Sequence, residues 1–211
     1  MRFPRRRTKR NWLITVLVVG LVAGGGSLTL GQELGRATKN TSPWTKAGKD
    51  KPGHPGAPGS HHEHMKKFVG RWQAKTRIYP GPDAEPIEMS GSMSNSMIMG
   101  GRFLQSDFKG EMMGRKFTGM GYEGFDNARQ EHVATWVDNE NTEIFYFRGT
   151  CNDDRTVITA FSERLDAKTG NVKKIKSVTT LRSTSMYTFE NWEEGDDGEY
   201  RKTMEIIYTR S

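Results

Sequence analysis

The chain has 211 residues, 34% of them hydrophobic and 24 of them glycine, which suits one domain with appendages and favours strands and turns over long helices. Its formal charge of +7 is concentrated at the front, where Arg2, Arg5, Arg6, Arg7, Lys9 and Arg10 precede the first acid, Glu33, while residues 61–211 are slightly acidic. That distribution excludes a polyanion-binding surface on the folded part, which needs Lys or Arg clustered on one face, so no nucleic acid is expected as a partner.

Residues 1–31 have the form of an export signal: a basic start, an apolar run from Trp12 to Ala23, then small residues. The basic end stays inside, so everything after the run is expected to be exported to the periplasm or cell envelope. Cleavage after Gly31 is one outcome; retention of Leu13 to Leu30 as a short transmembrane helix, tethering the protein to the inner membrane through residues 12–31, is the other. The hydrophobic residues of a twin-arginine signal do not follow Arg5, Arg6 and Arg7, and no cysteine follows the run to carry a lipid. Residues 32–60 are rich in Pro, Gly, Lys, Ser and Thr and too poor in apolar residues to bury anything, which reads as a disordered linker.

The domain, 61–211, opens with a short helix predicted over 61–69, whose Met65, Phe68 and Val69 form an apolar face able to plug a barrel end. About ten strands follow: 72–78, 87–99, 102–109, 116–125, 131–138, 143–149, 155–163, 173–182, 185–192 and 199–209, separated by Gly, Asp and Asn turns. Alternation is sharpest in the second. There Met89, Met93 and Met97 share one face and Ser90, Ser92, Ser94 and Ser96 the other. Gly119, Gly121 and Gly124 suit a strand bent hard or crossed closely by another side chain. Lys168 to Asn171 and Asp196 to Gly198 read as hairpin turns. A meander this long leaves two bare edges unless the first strand pairs with the last, so the expected fold is an all-β, antiparallel, up-and-down closed barrel.

Gly70-Arg71-Trp72, Gly100-Gly101-Arg102-Phe103-Leu104, the segment from Phe117 to Asp126, Thr135-Trp136-Val137-Asp138 and the terminal run from Lys202 to Arg210 together resemble the bacterial family called domain of unknown function 1579. That family is similar to calycin-type barrels, the lipocalin and fatty-acid-binding group, and has no settled activity to carry over. The resemblance implies a Trp on the first strand beneath an Arg near the last, roles that Trp72 and Arg210 match; such a stack is worth about 1 kcal/mol.

The expected function is non-enzymatic binding of a small apolar ligand inside the barrel, lined by Trp72, Met89, Met93, Phe117, Trp136 and Phe147. The alternative is a filled core whose rim loops, 126–130 and 139–142, meet another protein. No cofactor is expected. Copper on the methionines, haem on His132 and a hydrolytic role are weaker readings: Asp107, Glu123, Asp138, Glu190 and Glu205 lie within strands, but no nucleophile and base are adjacent in sequence. Cys151, the only cysteine, reads as a small residue beside a turn with no base nominated for it. No metal site is expected either. His61 and His64 are the residues that come nearest to one, because their spacing lets them share an ion on a helix whereas His62 points away.

Overall fold

The computed structural model describes residues 54–81, 84–166 and 169–211. The export segment, most of the linker and Lys168 lie outside them; among the described residues no helix is long and apolar enough to cross a membrane. A six-residue helix α1 (Ser60–Met65) and one 3-10 turn (Lys66–Phe68) lead into ten strands: β1 (Gly70–Ile78), β2 (Ile87–Ile98), β3 (Phe103–Met112), β4 (Arg115–Asp126), β5 (Glu131–Asp138), β6 (Phe145–Cys151), β7 (Val157–Leu165), β8 (Val172–Ser183), β9 (Met186–Glu194) and β10 (Tyr200–Arg210). Each pairs antiparallel with the next, and β1 pairs with β10, closing the barrel.

Closure follows from matched alternation on the two terminal strands. Trp72 stands opposite Arg210, Ala74 opposite Tyr208 and Thr76 opposite Ile206, so inward residues meet inward residues across the seam. The seam is then locked from the end. Arg210 lies over the Trp72 indole, its Cζ 4.2 Å from the ring centroid. The same guanidinium donates to the carbonyls of Lys67, Val69 and Thr184. Those contacts tie the helical lead-in, β1, β10 and the turn before β9 together.

The lead-in is a stopper. Phe68 and Met65 are buried, as the apolar spacing predicts, but His62 and His64 are buried too, which a polar helix start does not anticipate. The Phe68 carbonyl, left without a helical partner, accepts from Trp72 Nε1 at 2.8 Å and from Asn95 Nδ2 at 3.0 Å. Around it the Tyr187 ring stands edge-on to Phe68 and Trp72 and stacks on Tyr208 at 4.3 Å. This end of the barrel is solid.

Two hairpins show how the turns are made. Gly198 takes a φ of +80° in the turn between β9 and β10, and Gly170 one of +72° between β7 and β8, conformations that side chains resist. Truncating the fully buried ring, Trp72→Ala, is expected to cost about 3–5 kcal/mol in urea unfolding, against about 1–2 kcal/mol for Arg210→Ala. Equal costs would mean that the seam depends on the guanidinium rather than on core volume.

Candidate functional site

The interior has two unlike walls. On the β2 to β5 side, rings lie flat against glycines. A Cβ on Gly119 would overlap Trp136 Cζ2 and one on Gly121 would fall 3.0 Å from Cε3, so the indole occupies the space those side chains would take. Phe108 covers Gly91 and Gly110 in the same way, and Phe117 meets it edge-on at 5.7 Å. Trp136 Nε1 donates to Asp138 Oδ2 at 3.1 Å, which fixes the ring. The β7 to β10 side is more polar: the register brings Ser162, Ser177, Asn191 and the Arg164–Glu193 pair (2.9 Å) to the inner face. Thr76 Oγ1, Ser162 Oγ and Asn191 Oδ1 are buried without a hydrogen-bond partner.

All six residues expected to line the interior point inward, but they divide by depth. Trp72 and Met93 belong to the solid core beside the stopper. Met89, Phe117, Trp136 and Phe147 lie further from α1 and are only partly buried. An inward side chain meets solvent through the bore or through a gap in the wall, and β6 pairs with β7 only over Arg148–Cys151. Solvent therefore reaches the inner face away from α1.

A second constellation sits at the stoppered end. α1 brings His61 into parallel contact with Phe125, 3.7 Å between ring centroids, and edge-on to His132 at 5.5 Å. His132, at the start of β5, is 3% exposed, and neither of its nitrogens has a hydrogen-bond partner. Its Nδ1 lies 3.3 Å from Glu123 Oε1, close but off line for a hydrogen bond. Cys151, at the end of β6, places Sγ 3.8 Å from His61 Nδ1. Donor atoms of His61, His132 and Cys151 all lie within 4.8 Å of one another. His64 is not one of the three; it packs edge-on to Phe68, and His62 Nδ1 accepts from the Gly59 N–H at 2.9 Å. Burial, then the nearby Arg155 cation, lowers the His61 pKa to about 4, and burial is also the first cause lowering those of His62 and His64.

The structure thus supplies the base that sequence did not place beside Cys151, and gives His61 different company from His64. Of the five strand carboxylates, Glu123 and Asp138 face inward; Asp107, Glu190 and Glu205 face out, the last two flanking Lys202. Parity was the available signal. His132 shares the Trp136 face and Cys151 the Phe147 face, and β5 begins on the rim where β6 ends.

The rim loops are engaged within the chain. Asn127 Nδ2 donates to the carbonyls of Pro55 and Ala57, and Asn139 bonds the backbone at Lys116 and Thr118. Exposed apolar side chains gather instead on the outer wall of β6 and β7, where Ile144, Tyr146 and Phe161 border a groove of about 410 Å³.

A ten-stranded antiparallel barrel with one end stoppered by its own helix defines the class of protein. Residues 57–210 match the family described as "Protein of unknown function (DUF1579)", and the chain belongs to that family. No curated protein matches it. Among solved structures it is similar to Rv2717c from M. tuberculosis, at 11% identity and a TM-score of 0.52, over 74% of this chain and 99% of that one. It is also similar to a de novo designed fluorescence-activating β-barrel, at 14% identity and a TM-score of 0.40, over 70% of this chain and 96% of that one. At such identities the first likeness is one of fold.

Gly119→Ala forces the indole off its seat and is expected to cost about 1–3 kcal/mol by denaturant unfolding, with a matching change in Trp fluorescence; an unchanged emission would mean that the ring is not held there. The stopper histidines set a pH dependence. Their folded pKa values lie below the ordinary 6.5, so stability is full above about 6.5 and falls as pH drops toward 4, where His61 itself protonates. In chelator-washed protein Tm should fall across that window, and His61→Gln should flatten the fall.

Proposed function

We propose that this protein is an exported barrel that binds a small, largely apolar molecule in its bore without chemistry on it. The observation that carries the reading is the partial exposure of Met89, Phe117, Trp136 and Phe147, inward residues of a closed wall. A flat aromatic floor facing a wall with unpartnered Thr76, Ser162 and Asn191 oxygens suits a planar apolar guest carrying a polar group. Phe189 and Met204, also packed against the core and partly exposed, extend the apolar lining. The leader, with its basic start and apolar run, supports delivery to the periplasm or cell envelope, either free after cleavage or held at the inner membrane.

Native mass spectrometry of the protein purified from its own source is expected to show a co-purifying organic guest. Anilinonaphthalene sulfonate should bind the emptied barrel with enhanced fluorescence and quench Trp136. Met89→Trp, which enlarges an inward side chain of the lining, should abolish that binding while the fold is retained. Bare polypeptide from the native source, or undiminished dye binding by the filled variant, would overturn the reading.

A further inference from the structure

The bore does not account for the histidines, the cysteine and the carboxylate at the stoppered end. Three side chains from three separate elements, α1, β5 and β6, converge there with His61 and Cys151 ninety positions apart in sequence. A buried imidazole with neither nitrogen satisfied costs free energy that an apolar residue of similar size would avoid. His132 is such an imidazole. Its Glu123 neighbour carries a buried, unpartnered oxygen 3.3 Å away.

We infer that His61, His132 and Cys151 bind a borderline-soft divalent metal ion of the zinc type, with Glu123 as the carboxylate that orients His132. Sulfur with two imidazole nitrogens is a donor set that favours zinc over magnesium or calcium, which take oxygen ligands. The spacing fits. A tetrahedral zinc with its usual Zn–S and Zn–N bonds separates S from N by about 3.6 Å. Cys151 Sγ and His61 Nδ1 are 3.8 Å apart, and the donor atoms of the group all lie within 4.8 Å of one another, a spread that closes with a movement of about 1 Å.

Coordination through Nε2 of His132 would leave Nδ1–H to Glu123, the carboxylate–histidine–metal arrangement that fixes the tautomer of a zinc ligand. A thiolate and the Glu123 carboxylate together match the charge of the divalent ion, and the Arg155 guanidinium nearby donates to Ser60 Oγ. His61 brings the helix into the site. The stacking of its ring on Phe125 sets the plane in which its lone pair lies. A Cys–His pair acting as a nucleophile would use Cys151 and His61 but leave His132 and Glu123 without a role; the metal uses all four. Three protein ligands leave a fourth position for water or a small donor.

The test is zinc titration of the full chain, prepared without a histidine tag and stripped with chelator, alongside cobalt substitution. One zinc per chain should bind, and the cobalt form should show a sulfur-to-cobalt charge-transfer band. Cys151→Ser should abolish that band, and Cys151→Ser and His61→Gln should each weaken zinc binding more than tenfold. Glu123→Gln should weaken it by about 10–100-fold, whereas His54→Gln should leave it unchanged. His61 is on the helix surface and Cys151 at a strand end, so these variants inform even if His132→Gln fails to fold, as circular dichroism would reveal. No binding at about 100 µM zinc, binding without the thiolate band, or binding indifferent to both Cys151→Ser and His61→Gln would overturn the assignment.

Discussion

The structure depends on β1 finding β10. Every other strand pairs with its neighbour in sequence, at modest entropic cost, whereas the β1 to β10 seam joins the two ends of the domain. What makes the long-range pairing worthwhile is that it is more than a ladder of backbone hydrogen bonds. It delivers Trp72 into a pocket formed by Tyr187, Phe68 and Met93, and brings Arg210 across the indole to hold the carbonyls of the lead-in. The seam and the stopper therefore form as one unit. With the seam open, β1 and β10 would present unpaired edges and the stopper would lose the carbonyl partners that hold it.

That coupling divides the bore into a sealed part and an accessible part. Near the seam's lower end the rings of Phe68, Trp72, Tyr187 and Tyr208 fill the cross-section. Further along, the inner glycines of β2 to β4 make the wall thin, and Phe108 and Trp136 lie flat on it rather than reaching across. The opposite wall keeps polar groups, with the Arg164–Glu193 pair toward the mouth.

Much of this was legible because barrel strands carry their instructions locally. The Met and Ser alternation of β2 assigns its two faces, and the Gly119–Gly121 pattern anticipates a side chain crossing the strand, which proves to be Trp136. The Trp72–Arg210 contact came from the family resemblance rather than from spacing. The depth of each lining residue was not legible, since parity says inward or outward and nothing about distance from the stopper. Nor was the cluster of His61, His132 and Cys151, whose members meet only after β5, β6 and the helix have been placed around one rim. A six-residue helix is also too short for its own pattern to decide burial. His62 and His64 are covered because of what surrounds the helix, not because of their neighbours in sequence.

A ring in which each strand opposes both of its neighbours can close only with an even number of members, and ten meets that condition. Adding or deleting one strand would leave the first and last strands parallel at the seam and lose the antiparallel register that sets Trp72 opposite Arg210. Because diameter grows with strand count, a change of width that keeps the antiparallel seam comes in increments of a whole hairpin. Evolution of a larger or smaller chamber that preserves this seam would have to proceed by gain or loss of such pairs, or by exchanging bulky and small residues on a circumference that stays fixed.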